Sequence, residues 1–322
     1  MDNSVPGAAQ SASIYFKKKK SVFQRLREDF WYIIFMVPTL VLLFLFAYRP
    51  MYGLAIAFQN YSIGKPLIAF DGSVEWVGFK HFTDFFNSIF FKRIFTNTIR
   101  LSLKTIIFGQ WVPLAAALLL NEIRVSWYKR VTQTLFYLPH FVSVAIVVSI
   151  MTLLANSNGP FASLSVMLGG KQVNYMAQAS SFDFLYVFSN IWQSFGYGSI
   201  LYLAGIAGID PTLYEAATMD GANRFQKMIH ITLPQLMPTF TILLVLAMGG
   251  ILGSSTEKIL LMYNTTTMER ADVIGTYIYR IGLVNMKYSY TAAIGMFSNI
   301  IGFTLVFMSN KLSNRLAGYG LW

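Results

Sequence analysis

Five ionisable side chains, Glu215, Asp220, Arg224, Lys227 and His230, crowd the stretch "YEAATMDGANRFQKMIHITLP", Tyr214 to Pro234, between two long apolar segments. Groups of these types serve acid–base catalysis, metal binding or docking on a partner. Catalysis and metal binding find little support. The three histidines, His81, His140 and His230, are dispersed, and the absence of cysteine excludes disulfides, thiolate metal sites and a cysteine nucleophile. No G-x-x-x-x-G-K-[ST] phosphate loop occurs; "GGKQ" at Gly169–Gln172 lacks the upstream glycine and the hydroxyl residue and reads as a turn. A second polar group, Asn190, Gln193 and Tyr197 in "FSNIWQSFGYGSILY", has spacings of three and four that put its members on one helix face.

The elements that position these residues are membrane spans. The chain has 322 residues, of which 55% are hydrophobic, 16% aromatic and 12% charged, against about 25% charged in a soluble domain. Apolar runs of about 20 residues recur along it, so it reads as an all-α polytopic membrane protein. Six transmembrane helices are expected, near Trp31–Ala47, Thr105–Leu120, Val131–Ala155, Phe184–Ile206, Leu236–Ser254 and Tyr290–Ser309. Much of the net charge of +11 sits in a basic N-terminal arm, residues 1–30, with "KKKK" at Lys17–Lys20 followed by Arg25 and Arg27. That places the N-terminus in the cytoplasm by the positive-inside rule, and nothing in the arm reads as a cleavable signal peptide. The basic loop "NEIRVSWYKR" and Lys311 and Arg315 in the tail, residues 310–322, agree with this orientation. The transmembrane domain is then 31–309, with loop 210–234 inside and Tyr48–Lys104, Asn156–Asp183 and Ser255–Ser289 outside. Lys92, Arg93, Arg100 and Lys104 are the blemish on the outer side, and "FTDFFNSIFFKRIFTNTIR" is expected to lie partly as an interfacial amphipathic helix. The spans as drawn contain no Asp or Glu, which weakens a proton-driven mechanism.

Within the charged loop, Asp210 and Pro211 read as an N-cap and first helical residue. Gly221 permits a sharp turn, "NRFQKMIH" starts a second short helix, and Pro234 and Pro238 punctuate the entry to span five. Read on residues alone, this helix–turn–helix is a connector on the membrane surface or a dock for a partner. The order Glu215-Ala216-Ala217, then Gly221, Ile231 and Leu233-Pro234, resembles the EAA loop of binding-protein-dependent ABC importers, anchor for anchor. The resemblance implies the type I importer permease fold. It also implies a coupling helix in which Tyr214, Glu215, Ala216, Ala217, Asp220, Gly221, Ala222, Phe225, Ile231, Leu233 and Pro234 meet a separate ATPase.

Longer stretches are similar to the permeases of polysaccharide and oligosaccharide importers, alginate import among them. They are "PMYGLAIAFQNY" (Pro50–Tyr61), "LPHFVS" (Leu138–Ser143), "ADVIGTYIYRIGL" (Ala271–Leu283) and "NKLSNRLAGYGLW" (Asn310–Trp322). The resemblance implies a non-catalytic subunit of the bacterial inner membrane that itself binds no cofactor. Its implied partners are a second homologous permease forming a heterodimer, two ATP-binding subunits that hold ATP and Mg, an extracytoplasmic solute-binding protein and a carbohydrate substrate, with no nucleic acid. By analogy with that group, Asn190, Gln193 and Tyr197 border the substrate pathway, with Asn97, Gln110 and Asn299 as further candidates. Equally, Asn190 and Gln193 are read as glue between helices, and Gly196 and Gly198 as a close crossing. Tyr61–Phe85 or Ser255–Ser289 would meet the binding protein, and "VIGTYIYRIGL" is expected to fold back on the outer ends of the spans. The rivals are an importer of a non-sugar solute, a self-contained secondary transporter, for which an inverted repeat or intramembrane ion site is missing, and a membrane enzyme.

Overall fold

The computed structural model describes residues 29–69, 72–253, 255–316 and 318–321; the basic arm, up to Arg27, lies outside them. The chain divides into two units, Met1–Gly53 and Leu54–Trp322. In the first, α1 (Phe30–Leu43) continues through a π turn at Phe44–Tyr48 into Arg49–Met51. The π turn ends two residues before Pro50. A proline has no N–H and its ring crowds the carbonyl one turn back, so a widened turn relieves both problems.

The second unit holds α2 (Lys80–Phe86), α3 (Phe91–Asn121), α4 (Ser126–Tyr137), α5 (Val144–Ala155), α6 (Pro160–Met167) and α7 (Ala179–Ala207). There follow α8 (Pro211–Met219), α9 (Arg224–Gly249), α10 (Thr256–Met262), α11 (Ile274–Ile278) and α12 (Tyr288–Leu316). Among the described residues the single β feature is an antiparallel bridge between Gln59 and Trp76. Five helical runs among the described residues are long and apolar enough to cross a membrane: Phe30–Phe58, Phe91–Asn121, Val144–Met167, Arg224–Gly249 and Tyr288–Arg315. The expected sixth span is α7, whose 29 residues suffice in length. Its Asp183, Ser189, Asn190, Gln193, Ser194 and Ser199 make it less apolar than the others, and α3 covers part of it, Leu101 packing with Leu185 and Tyr186, and Leu114 and Ala117 with Tyr202.

Four boundaries differ from those read in the sequence. The second span starts at Phe91 rather than Thr105, so "FKRIFTNTIR" continues the spanning helix instead of lying along the interface. The third is interrupted: α4 ends at Tyr137, a 3₁₀ turn covers Leu138–Phe141, and α5 starts anew with Ser143 as N-cap. Pro139, without an N–H, explains the break. The segment after Asn223 is no separate short helix, because α9 runs unbroken from Arg224 to Gly249 through a π turn at Met228–Thr232, which again ends two residues before a proline, Pro234. The tail is helical to Leu316, and the Leu321 amide returns to donate to Asn310 Oδ1 at 2.7 Å.

Three apolar clusters hold the unit together. Leu114, Ala117, Tyr202, Ile206 and Leu236 join α3, α7 and α9. Leu101, Val148, Leu185, Ile259 and Met262 join α3, α5, α7 and α10. Phe85, Ile94, Tyr277 and Ile294 join α2, α3, α11 and α12. The last cluster includes Ile274 and Tyr277, so the apolar stretch from Val273 onward does fold back on the spans. A Cβ on Gly196 would overlap the Phe136 carbonyl oxygen, which makes this glycine the close crossing of α7 over α4.

Candidate functional site

Local chemistry builds the charged loop one end at a time. Asp210 caps α8, its carboxylate accepting from the Thr212 amide at 2.9 Å, and Pro211 takes the first helical position. The Thr212 hydrogen bonds hold the Asp210 carboxyl below its usual range. At the other end the Ala222 amide donates to Ala217 O (2.9 Å) and the Gly221 amide to Thr218 O (3.1 Å). This is the Schellman pairing, and it requires a left-handed residue at Gly221, where φ is +79°. Asn223 and Gln226 then form a reciprocal capping box that starts α9.

Two side-chain contacts tie α8 to α9. The Tyr214 and Thr232 hydroxyls are 2.9 Å apart, and Lys227 Nζ donates to Thr218 Oγ1 at 2.7 Å. A half-exposed pair, Arg224 with Glu122 at 3.9 Å, adds little. What remains outward is a surface. Glu215, Ala216, Asp220 and Pro234 are exposed, Ala217, Ala222, Ile231 and Leu233 half-buried. Two apolar side chains stand in the open, Met219 at 88% and Phe225 at 67% exposure. A recess of 270 Å³ opens beside Gly221, between Ala217, Asp220 and His230. The His230 ring lies against the Gln226 carbonyl at 3.0 Å. The arrangement offers a shaped, mixed apolar and charged contact and no reacting group.

On α7, Asn190 and Gln193 share a face as their spacing requires, but a residue that sequence reading passed over occupies it. Lys258 Nζ donates to Asn190 Oδ1 (2.9 Å) and Gln193 Oε1 (2.8 Å). Both amides are oriented from behind, Asn190 Nδ2 donating to Tyr186 O (3.0 Å) and Gln193 Nε2 to Val142 O (2.8 Å). Lys258 is 1% exposed. A lysine inside the otherwise apolar "KILLM" was the available signal. Tyr197 does not join this group; its ring stacks on His140 with centroids 4.0 Å apart. Asn97 is removed from any open path, since it is buried and donates to the Glu269 and Asp272 carbonyls. Gln110 accepts from the Tyr202 hydroxyl at 3.1 Å, a helix-to-helix tie, and Asn299 is exposed on α12.

Three of the four cations in the first half of α3, Arg93, Arg100 and Lys104, meet two carboxylates. Asp183 lies within α7, not in the preceding loop, and meets Lys104 at 2.7 Å and Arg100 at 3.0 Å. Asp272, fully buried, meets Arg280 at 2.7 Å and Arg93 at 3.7 Å. Paired in this way, these three charges are compensated within the fold.

Known proteins resemble the whole of this arrangement. The family model described as "Binding-protein-dependent transport system inner membrane component" matches residues 109–317. Protein LplB of Bacillus subtilis (strain 168) is 40% identical over 92% of this chain and 92% of its own length. The polygalacturonan/rhamnogalacturonan transport system permease protein YteP of the same organism is 38% identical over 95% of this chain and 94% of its own. Among solved structures, a chain of a bacterial alginate ABC transporter, in complex with an alginate pentasaccharide-bound periplasmic protein, superposes with a TM-score of 0.82. It is 37% identical, over 94% of this chain and 100% of that one.

Proposed function

This chain belongs to the family of binding-protein-dependent transport system inner membrane components, and we propose that it forms one half of the route by which an ATP-driven importer takes up an oligo- or polysaccharide. The solute arrives on an extracytoplasmic binding protein. A second, homologous permease completes the route as a heterodimer, and two separate ATP-binding subunits hold ATP and Mg and perform the hydrolysis. Both termini and the α8–α9 loop face the cytoplasm, in the inner membrane of a bacterium.

The observation that carries the coupling role is the exposure of Met219 and Phe225 on a loop whose backbone is otherwise fully capped. Apolar side chains this exposed on an ordered, turn-locked element mark a contact surface. Glu215 and Asp220 rim it with charge, the arrangement expected of a docking patch with a polar edge. Saccharide is favoured as cargo by the named relatives, a polygalacturonan/rhamnogalacturonan permease and an alginate transporter.

The test is a pull-down of tagged protein from native membranes in mild detergent, wild type beside Gly221→Val, with mass spectrometry of what co-purifies. A P-loop ATPase and a second permease are expected with the wild type, and the ATPase is expected to be lost from the variant. Wild-type protein that purifies alone while still folded would remove the coupling role and return the secondary transporter to consideration.

A further inference from the structure

Lys258 stands apart in how its charge is handled. The buried carboxylates Asp183 and Asp272 each meet two cations, whereas among the described residues no carboxylate pairs with Lys258. Its two partners are neutral amide oxygens. An ammonium offers three donors, and removing it from water without a counter-ion is costly, so a methionine of the same length would suit a purely structural position better.

The surroundings indicate what the missing counter-ion is. Lys258 is one side chain removed from a cavity of 160 Å³ that Asn190 borders together with Ser102, Thr105, Tyr186, Ser255, Ile106 and two glycines. Thr105 Oγ1 is buried there without a hydrogen-bond partner. Within a largely apolar lining, the hydroxyls and the one amide, Asn190, which also holds Lys258, offer partners to a sugar's hydroxyls, and one cation matches one carboxylate.

We propose that Lys258 determines the charge of the cargo, pairing with the carboxylate of an acidic saccharide at the Asn190–Gln193 face of α7. The proposal rests on the importer reading above and adds to it a substrate class and a residue. The two amides hold the ammonium in place without neutralising it, so an arriving carboxylate gains the whole ion pair. Since Lys258 is covered in this conformation, the pairing belongs to a state in which α7 and α10 have parted.

The experiment uses the complete importer in proteoliposomes, with its binding protein, supplied with trigalacturonate and trimannuronate, each beside its carboxyl-reduced form. Lys258→Met should lower uptake of the acids about tenfold relative to the reduced sugars, the usual weight of one charge-assisted hydrogen bond. Lys258→Arg should restore most of that preference. Gln193→Glu should raise the melting temperature, by giving Lys258 a counter-ion inside the protein, and yet lower acid uptake. A latch with a structural role alone would show the rise in melting temperature with acid uptake unchanged. If wild type carries both forms of a sugar and Lys258→Met leaves their ratio unaltered, the assignment of Lys258 falls and the importer stands. If the assembled wild-type importer carries none of the four sugars, the saccharide importer reading falls, and this proposal with it.

Discussion

The hydroxyls of Tyr214 and Thr232, 2.9 Å apart, join the helix α8 to the π turn of α9 across 18 residues of chain. Thr232 is 3% exposed, so this contact is sheltered although most of the loop is not. A side chain at the root of the loop thereby holds its direction relative to the span. Tyr214→Phe removes the hydroxyl without changing the ring and should cost about 1 kcal/mol of local stability. The expected outcome is an importer that still hydrolyses ATP but transports severalfold less per ATP, measured as the ratio of the two rates in proteoliposomes. An unchanged ratio would reduce the contact to local packing.

Gly221 makes a sharper prediction because space and backbone disagree there. A Cβ would meet nothing within 4 Å, yet φ is +79°. The cost of substitution therefore lies in the backbone, about 1 kcal/mol or more for a β-branched residue and less for asparagine, which tolerates the left-handed region. Gly221→Asn should keep the ATPase in a pull-down, while Gly221→Val should lose it with membrane insertion intact. Equal loss in both would mean that bulk on the docking surface, not the turn, is what matters.

Asp210 sets a pH dependence. Its carboxyl is held below the usual range by the Thr212 hydrogen bonds. A carboxylate with a depressed folded value stabilises the cap above its unfolded value of about 3.9 and loses that effect as pH falls through the folded value. Amide exchange at Thr212 and Leu213 should accordingly show α8 capped at neutral pH and fraying only below about pH 4. Asp210→Ser should cap without this acid transition, and Asp210→Ala should fray at every pH. An acid transition that persists in Asp210→Ser would place the titrating group elsewhere.

Asp272 is fully buried between Arg280 and Arg93, and its Oδ1 also accepts from Thr276 Oγ1 at 2.8 Å. Asp272→Asn leaves two cations facing a neutral amide, a change that typically costs about 3–5 kcal/mol. A lowered melting temperature in detergent, or failure to accumulate, is expected. Removing the positive side as well, in Arg280→Met with Asp272→Asn, should recover part of the loss. Wild-type melting in the single variant would show the pair to be exposed to water.

What could be read in the chain was local. The cap at Asp210, the sharp turn at Gly221, the helix start at Asn223 and the shared face of Asn190 and Gln193 all depend on neighbours within a few residues, so sequence spacing reports them. The polar group at α7 was read only halfway, because its third member, Lys258, is 65 residues from Gln193. The same distance hid the role of Arg93, Arg100 and Lys104, which made sense only once Asp183 and Asp272 were in reach. The ties of Asn97 were hidden for this reason, its partners lying more than 170 residues away. The junctions of α3 and α9 failed differently: charged or proline-bearing segments were read as ends of spans, whereas packing on α7 and α12 and a widened turn carry the helix through them.

The unbroken course of α9 makes it a lever. From Arg224 to Gly249 its 26 residues extend about 39 Å at the usual rise. With α8 braced against its root by Tyr214 and Lys227, a tilt of about 5° imposed at the loop sweeps the far end through about 3 Å over that length. That far end lies nine residues before Lys258, so the arm, interrupted only by its π turn and by Pro238, is long enough for a tilt at the loop to alter the grip on a buried ammonium at the other end of the span.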